Sequence, residues 1–181
     1  MLKKIWELYK TPLLLSLTLA IVLVSLNVLK TPFIIAATLL GTLVGTFILD
    51  LDYIIYAYFT DTEKGFSVDL RSFFKHKDYV NALNHIYHNK DSIEEKTLNS
   101  ALFQIVLAGV SIFTMASTAG FFIKALVISA FANSIYKALS QFYDGRVKDW
   151  FWALKTIPNK NGFYLYIGVL VLILIYNVLQ F

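Results

Sequence analysis

Long apolar runs constrain what this chain can fold into more than any other feature of the sequence. A helix needs about 20 predominantly apolar residues to cross the hydrocarbon core of a bilayer. Only 15% of the 181 residues are charged, against about 25% in soluble domains. We therefore predict an all-α integral membrane protein that forms one membrane domain over residues 1–181. The expected transmembrane helices, about five in number, cover residues 12–29, 32–58, 99–116, 119–141 and 162–181.

Lysine and arginine predict the orientation of these helices, because cytoplasmic loops are enriched in both. In a five-helix topology all 16 basic residues except Lys30 and Lys124 fall at or near one side of the membrane. We expect a multi-pass protein of the cytoplasmic (inner) membrane, with its N-terminus in the cytoplasm and its C-terminus outside. The chain contains no cysteine, which excludes disulfides, thiolate metal sites and a cysteine nucleophile.

Residues 60–98 form the one sizeable polar segment of the sequence. Apolar residues recur in it at roughly helical spacing, at Leu70, Phe73, Phe74, Tyr79, Leu83, Ile86 and Tyr87. We predict one or two amphipathic helices along the cytoplasmic interface, with basic side chains toward the lipid headgroups. Besides the lipid bilayer, the expected partners are a protein bound through this segment or a second copy of the chain. No nucleic-acid partner is expected.

Two aspartates, Asp50 and Asp52, follow a long apolar stretch in "GTFILDLDY". A helix rises about 1.5 Å per residue, so residues 32–51 span about 30 Å and bring both carboxylates to the cytoplasmic edge of the membrane. Positions two apart on a helix point about 200° apart, so the pair could not hold one ion without a local break or a partner helix. Two interpretations stay open. The aspartates are either interfacial carboxylates bonded to water, lysine or tyrosine, or part of a functional site.

Other polar residues fall at the same predicted depth, at the inner ends of the third and fourth apolar runs. Topology thus predicts one polar layer, which would be either a hydrolytic site or polar contacts between helices. The candidate members of this layer, besides the two aspartates, are Tyr53, Asn99, Ser100, Asn133, Tyr136, Lys137, Ser140, Gln141 and Asp144.

His85 and His88 lie three residues apart in "NHIYH", on one face of a predicted helix. That spacing suits two imidazole ligands of one metal ion. It also suits two ordinary interfacial histidines, and we favour this second interpretation because no third ligand is fixed in the sequence.

The order of these residues resembles a family of membrane-bound, metal-dependent hydrolases that includes the LexA-regulated inner-membrane proteins. In that family a glycine precedes Asp-x-Asp-His at the end of an early span, and His-Ser opens a later span. A His-x-x-x-Asp motif and then a Trp-Phe-Trp-like stretch precede the last span. The corresponding stretches here, within about residues 33–181, are "GTFILDLDY", "LNSALFQ" and "YKALSQFYDGRVKDWFWAL".

The resemblance implies a divalent metal that activates water for attack on an ester or phosphoester. Asp50 and Asp52 match the family's metal ligands. Asn99 would supply a carbonyl oxygen that suits a hard cation, and His85 or His88 would be a substitute ligand. The positions that depart from the motif, where the family has three histidines and one aspartate, are Tyr53, Asn99, Tyr136 and Ser140.

Neutral asparagine, tyrosine and serine are poor zinc ligands. We therefore expect a non-catalytic structural or interaction member of this fold. One alternative is a metal-dependent hydrolase that acts on an ester or phosphoester, for example a lipid-linked one, at the cytoplasmic leaflet. A second alternative is a small transporter, which is disfavoured because no ionisable residue falls near the middle of the bilayer and no pair of half-helices is indicated.

Overall fold

The computed structural model describes residues 2–27, 31–89, 93 and 95–181, and every regular element among them is helical. The predicted end of the first apolar run, at residues 28 and 29, lies outside the described residues, as do residues 90–92 and 94 of the polar segment. The α-helices are α1 (Leu2–Leu26), α2 (Pro32–Ile48), α3 (Leu51–Ile55), α4 (Gly65–Lys75), α5 (Tyr79–Asn89), α6 (Ala101–Ala116), α7 (Phe121–Tyr143), α8 (Val147–Phe151) and α9 (Lys160–Leu179). A π-helical turn (Tyr56–Thr60) continues α3, and a 3-10 turn (Trp152–Leu154) continues α8.

Among the described residues, three helical stretches are long and apolar enough to cross a bilayer: Tyr9–Leu26 of α1, all of α7 and all of α9. A fourth candidate is α2 together with Leu51–Thr60, which pass the same test as a pair but bend by 42° at the break between them. The apolar helix α6 has 16 residues, fewer than the about 20 that a full span needs. The predicted all-helical class is confirmed, and three or four helical stretches of the described residues are candidates for crossing a membrane; the count of about five stays a prediction.

Side-chain caps mark where several helices begin. The Thr31 hydroxyl accepts a hydrogen bond from the Ile34 amide at 3.4 Å, and Pro32 occupies the first position of α2. Proline is favoured there because its missing N–H would have no partner in the first turn. The Asn159 side chain caps α9 in the same way by accepting from the Gly162 amide at 2.8 Å. Each cap supplies an acceptor for an amide that has no partner within its own helix.

The two aspartates lie at a break in the helix after α2. Hydrogen bonds with a spacing of three residues replace the regular helical pattern, from the Asp50 amide to the Phe47 carbonyl at 3.0 Å and from the Tyr53 amide to the Asp50 carbonyl at 3.2 Å. The chain then resumes as α3 in a new direction. A run that the sequence predicts as one helix over residues 32–58 is therefore two helices and a π-helical turn.

Helices α2 and α7 form the most extensive helix pair of the described bundle. Gly41 and Gly45 lie one turn apart on the face of α2 that meets α7, and a Cβ atom at either position would clash with a carbonyl oxygen of α7. Small residues spaced in this way let two backbones approach closely, which is how helices associate in lipid, where apolar surfaces gain little by meeting each other.

Hydroxyl and amide groups join α1, α2 and α7 beside this close approach. The Thr46 hydroxyl donates to Ser16 Oγ at 2.7 Å, and Asn133 Nδ2 donates to the same oxygen at 2.9 Å. Ser129 lies 3.0 Å from Ser16 and donates to the Thr42 carbonyl at 2.7 Å. All five side chains are buried, so their mutual hydrogen bonds replace those that water would otherwise make.

The polar segment folds as the helical hairpin α4–α5, which has a small apolar core of its own with the π-helical turn. Leu70 and Ile86 are buried against Tyr56 and Ala57. Two of the predicted apolar positions, Tyr79 and Leu83, instead remain exposed. The apolar spacing therefore indicates the two helices correctly, and part of their apolar surface packs within the protein.

We predict that Gly45→Ala destabilises the protein, because the added methyl group must displace backbone atoms of α7. The expected loss in free energy of unfolding is about 1–3 kcal/mol, as for other overpacked sites. Thermal unfolding of the purified protein, followed by circular dichroism, measures it. The matched control is Gly168→Ala in α9, where a Cβ meets nothing within 4 Å. Equal unfolding temperatures for both variants would contradict the close packing of α2 on α7.

Candidate functional site

A polar cavity of about 230 Å³ lies where the ends of α1, α2 and α7 meet the residues that precede α6. Its volume is slightly below the roughly 300–1,000 Å³ of typical small-molecule pockets. Members of the predicted polar layer that line the cavity are Asp50, Tyr53, Asn99, Tyr136, Lys137, Ser140, Gln141 and Asp144. The remaining lining residues, which the sequence did not single out for this layer, are Tyr9, Pro12, Thr46, Lys96 and Arg146.

Asp52 does not line this cavity, because its carboxylate is turned toward the segment that leads into α6. The residue is 1% exposed. Its Oδ1 accepts a hydrogen bond from the Thr97 amide at 2.9 Å, and its Oδ2 accepts from both the amide and the side-chain Nδ2 of Asn99 at 2.8 Å. Hydrogen bonds to a charged acceptor are stronger than neutral ones. Asp52 therefore anchors residues 97–99 to the start of α3.

Asn99 also connects this segment to the end of α2. Its Nδ2 also donates to the Leu49 carbonyl at 2.9 Å, at the end of α2. Both partners of Nδ2 are acceptors, which fixes the orientation of the amide group and leaves Oδ1 without a partner among the described residues. The position that the family resemblance assigns to a metal-binding histidine therefore carries a side chain that fastens two helix ends together.

Asp50 forms an ion pair with Lys137 of α7. The Lys137 ammonium donates to Asp50 Oδ1 at 2.7 Å, and the two side chains are 22% and 20% exposed, respectively. The sequence leaves two interpretations of the aspartates open. This contact matches the interpretation in which an interfacial carboxylate binds a neighbouring lysine. Partial burial makes the pair interdependent, because removal of one partner leaves the other charge without compensation.

The remaining charged side chains of the lining lie nearer to solvent or against aromatic rings. Asp144 is 53% exposed at its side chain and lies 3.6 Å from the Arg146 guanidinium. The ammonium of Lys96 lies 5.5 Å from the centre of the Tyr53 ring, a cation–π arrangement. The described lining thus carries three cationic side chains and two carboxylates.

Two buried amide side chains of the lining have an oxygen without a hydrogen-bond partner. Asn99 is 3% exposed and Gln141 is 9% exposed. Neither Asn99 Oδ1 nor Gln141 Oε1 has a partner within the described residues. A buried acceptor that stays unpaired costs roughly 1–3 kcal/mol, and both oxygens are enclosed by the protein.

Besides Asp52 and Asn133, three more residues of the sequence-based site lie outside the cavity lining: Ser100, His85 and His88. Ser100 is a helix cap, since its Oγ accepts from the Phe103 amide at 3.3 Å and donates to the Thr97 carbonyl at 2.7 Å. The His85 ring stacks on Phe66 with centroids 5.0 Å apart. The exposed His88 has its Nδ1 2.8 Å from the Asn84 carbonyl oxygen. Each histidine thus has its own partner on or beside α5.

The arrangement of these side chains does not fit the divalent metal that the family resemblance implies. In the part of the chain that the structure describes, no group of three or more histidines, aspartates and glutamates is placed to hold a metal ion. The Asp52 oxygens face N–H donors, and Asp50 faces an ammonium. A metal ion requires oxygens that converge on one point, and here the two carboxylates diverge.

Some of the missed lining residues had a signal in the sequence. Thr46 precedes Asp50 by four residues, which places both on one side of a helix end. Lys96 and Arg146 contribute to the charge bias along the sequence, which does not place them at a site. Pro12 opens the first apolar run and Tyr9 precedes it, and nothing in their spacing connects them to a site more than 30 residues away.

No protein-family model matches the chain, and neither a curated protein nor a solved structure is significantly similar to it. The resemblance to the metal-dependent hydrolases therefore stays a prediction from the sequence motifs.

We predict that Asp52→Ala destabilises the protein by roughly 3 kcal/mol or more, because three N–H donors lose their acceptor and each buried unpaired donor costs about 1–3 kcal/mol. Asp52→Asn keeps one carbonyl acceptor and should lose less. Denaturant unfolding in detergent measures both. Asp69→Ala on the exposed side of α4 is the control, and an equal loss there would show that Asp52 does not hold residues 97–99.

Proposed function

We propose that this chain is a non-catalytic membrane protein, with a structural or binding role, that keeps the helical framework of the hydrolases it resembles without their metal chemistry. The observation that supports the proposal most directly is the separate engagement of Asp50 and Asp52. One carboxylate binds an internal ammonium and the other binds two backbone amides and a side-chain amide.

Metal-dependent hydrolysis needs a divalent cation with an open position for water. Lys137 lies 2.7 Å from Asp50 and so places a fixed positive charge beside the carboxylate that would have to bind this cation. A second cation at the same oxygen would be repelled by the ammonium. Asp52 could not help, because turning its oxygens toward a metal would leave three N–H donors unpaired.

The membrane arrangement that we propose has five spans, with α6 as a short fifth one. The side chains of Leu102, Val106 and Phe113 are exposed along α6, at 47%, 54% and 74%. Such an apolar outer face suits contact with lipid. The proposed orientation keeps the N-terminus and the α4–α5 hairpin on the cytoplasmic side, where Val68, Val80 and the exposed Leu83 lie against the interface.

Single-cysteine labelling tests this topology, because the natural chain has no cysteine. We expect a membrane-impermeant maleimide to label Thr118→Cys, between α6 and α7, in intact cells. It should label Lys75→Cys, at the end of α4, only after the membrane is permeabilised. Labelling of both positions from the same side would contradict α6 as a span, and the reverse pattern would contradict the orientation.

Elemental analysis of the purified protein tests the non-catalytic proposal. We expect no stoichiometric divalent metal after purification and no hydrolysis of ester or phosphoester substrates when Mg²⁺, Mn²⁺ or Zn²⁺ is added. Asp50→Asn is the diagnostic variant, with Asp144→Asn as a control in the same lining.

One equivalent of metal per chain that is lost in Asp50→Asn and kept in Asp144→Asn would overturn the proposal and favour the hydrolase. Solute flux in proteoliposomes would favour the transporter instead.

A further inference from the structure

We infer that the segment from α8 to the first turn of α9 is a binding surface for the headgroups of anionic phospholipids. The inference rests on the membrane arrangement proposed above, in which α9 is a span, and it names a partner for that arrangement. It does not depend on the absence of metal chemistry. The members of this α8–α9 surface are three exposed lysines and two exposed apolar side chains: Lys148, Lys155, Lys160, Leu154 and Ile157.

Two indole side chains fasten this segment to the helix bundle. Trp150 is fully buried, and its Nε1 donates a hydrogen bond to Gln104 Oε1 at 3.1 Å. Two residues later, Trp152 Nε1 donates to the Lys96 carbonyl at 2.8 Å. Because the indoles bind inside the protein, the segment is held in place before any partner arrives, and an ordered surface loses less entropy on binding.

The three lysines of the surface have no internal partner. In the part of the chain that the structure describes, none of Lys148, Lys155 and Lys160 forms an ion pair or a side-chain hydrogen bond. Residues 147–160 contain these three lysines and one acid, Asp149, which gives a net charge of +2. Exposed cations next to a span are attracted to the phosphate groups of anionic lipids.

Charge balance distinguishes this surface from the α4–α5 hairpin, where the sequence predicts basic side chains toward the headgroups. Residues 61–89 contain four acidic and four basic side chains, and their charges cancel. Two of these cations also bind within the protein, since Lys64 donates to the Tyr56 hydroxyl and Arg71 donates to the Thr62 carbonyl. The α8–α9 surface therefore attracts anionic lipids more strongly than the hairpin does.

The position of the surface favours a membrane over a soluble anionic partner. The candidate span of α9 begins at Lys160, so the surface lies where a span meets the headgroup layer. Leu154 is 37% exposed and Ile157 is 52% exposed. Apolar side chains among cations suit the boundary between headgroups and acyl chains, and a soluble polyanion has no acyl chain to offer them.

Native mass spectrometry of the full-length protein in detergent tests the inference. The probes are phosphatidylglycerol and phosphatidylcholine with identical acyl chains. We expect phosphatidylglycerol to bind about tenfold more tightly at low ionic strength, a ratio that one or two lysine contacts provide. The preference should decrease as salt is added, because the charges are exposed and screened. Equal binding of both lipids at low ionic strength would overturn the inference.

A double variant, Lys155→Gln with Lys160→Gln, assigns the preference to this surface. It should reduce the preference to about twofold, because Lys148 alone remains. The matched control is Lys75→Gln with Lys77→Gln, which removes the same charge from exposed positions of the hairpin and should keep most of the preference. Each pair includes one residue with a positive φ, 54° at Lys155 and 56° at Lys77. Equal losses in both variants would contradict the assignment, because the preference would then follow total charge.

Ile157→Cys, in a chain that has no cysteine of its own, locates the bound lipid. An environment-sensitive fluorophore attached there should emit at shorter wavelength when phosphatidylglycerol replaces phosphatidylcholine in nanodiscs. Unchanged emission would overturn the contact with the bilayer. Soluble glycerol 3-phosphate should not displace the lipid, and displacement at a comparable concentration would overturn the lipid assignment in favour of a soluble phosphate ester.

The two proposals fail in different measurements. Absence of a preference for phosphatidylglycerol in a metal-free, inactive protein overturns the lipid surface alone. Stoichiometric metal with hydrolysis overturns the non-catalytic role, whichever lipid binds.

Discussion

The carboxylate of Asp52 is the contact on which the geometry of this end of the molecule depends. It joins the start of α3 to residues 97–99, which lie 45 and more residues further along the chain and lead directly into α6. The same few residues make the next connections, since Asn99 reaches the end of α2 and the Lys96 carbonyl accepts from Trp152 Nε1 at 2.8 Å. These hydrogen bonds thereby hold the chain beside the start of α3 after it has passed through α4 and α5, and they position one wall of the cavity.

Polar groups have different tasks at the centre and at the end of the bundle. Between α1, α2 and α7 they are hydroxyls and amides that bond to one another or to carbonyl oxygens, and a similar cluster surrounds Gln104, which bonds to Ser134, Trp150 and Tyr166. Such groups stabilise helix contacts in lipid, where the hydrophobic effect between helices is weak. Among the described residues, ionised side chains lie toward the two ends of the bundle, where water and headgroups lower the cost of a charge.

The sequence predicted those parts of the fold that depend on local composition. Apolar length places α6 and α7 within about two residues of their ends, and the spacing of apolar residues indicates α4 and α5. The polar layer follows from depth alone, because residues at the same ends of neighbouring spans must share a level. The sequence does not predict the break in the helix after Leu49, because the run is equally apolar on either side of it.

The sequence does not predict which groups of the polar layer bond to one another. The donors that bind Asp52 are largely backbone amides, and every residue except proline has one, so nothing in the identity of Thr97 marks it as a partner. Asp50 had several lysines at its depth, and only the direction of α7 selects Lys137. The spacing of His85 and His88 likewise does not predict that the Phe66 ring stacks on the ring of His85.

The two aspartates form a motif that is typical of a metal site, and here each carboxylate has its own partner within the protein. The two residues lie where α2 and α3 meet at a bend of 42°, and one carboxylate binds N–H donors while the other binds an ammonium. In a metal centre, the cation neutralises such carboxylates and also draws them together. An internal lysine and fixed N–H donors neutralise them one at a time, so no force brings the oxygens to a common point. Under the function proposed above, the two carboxylates thus stabilise the structure around the cavity.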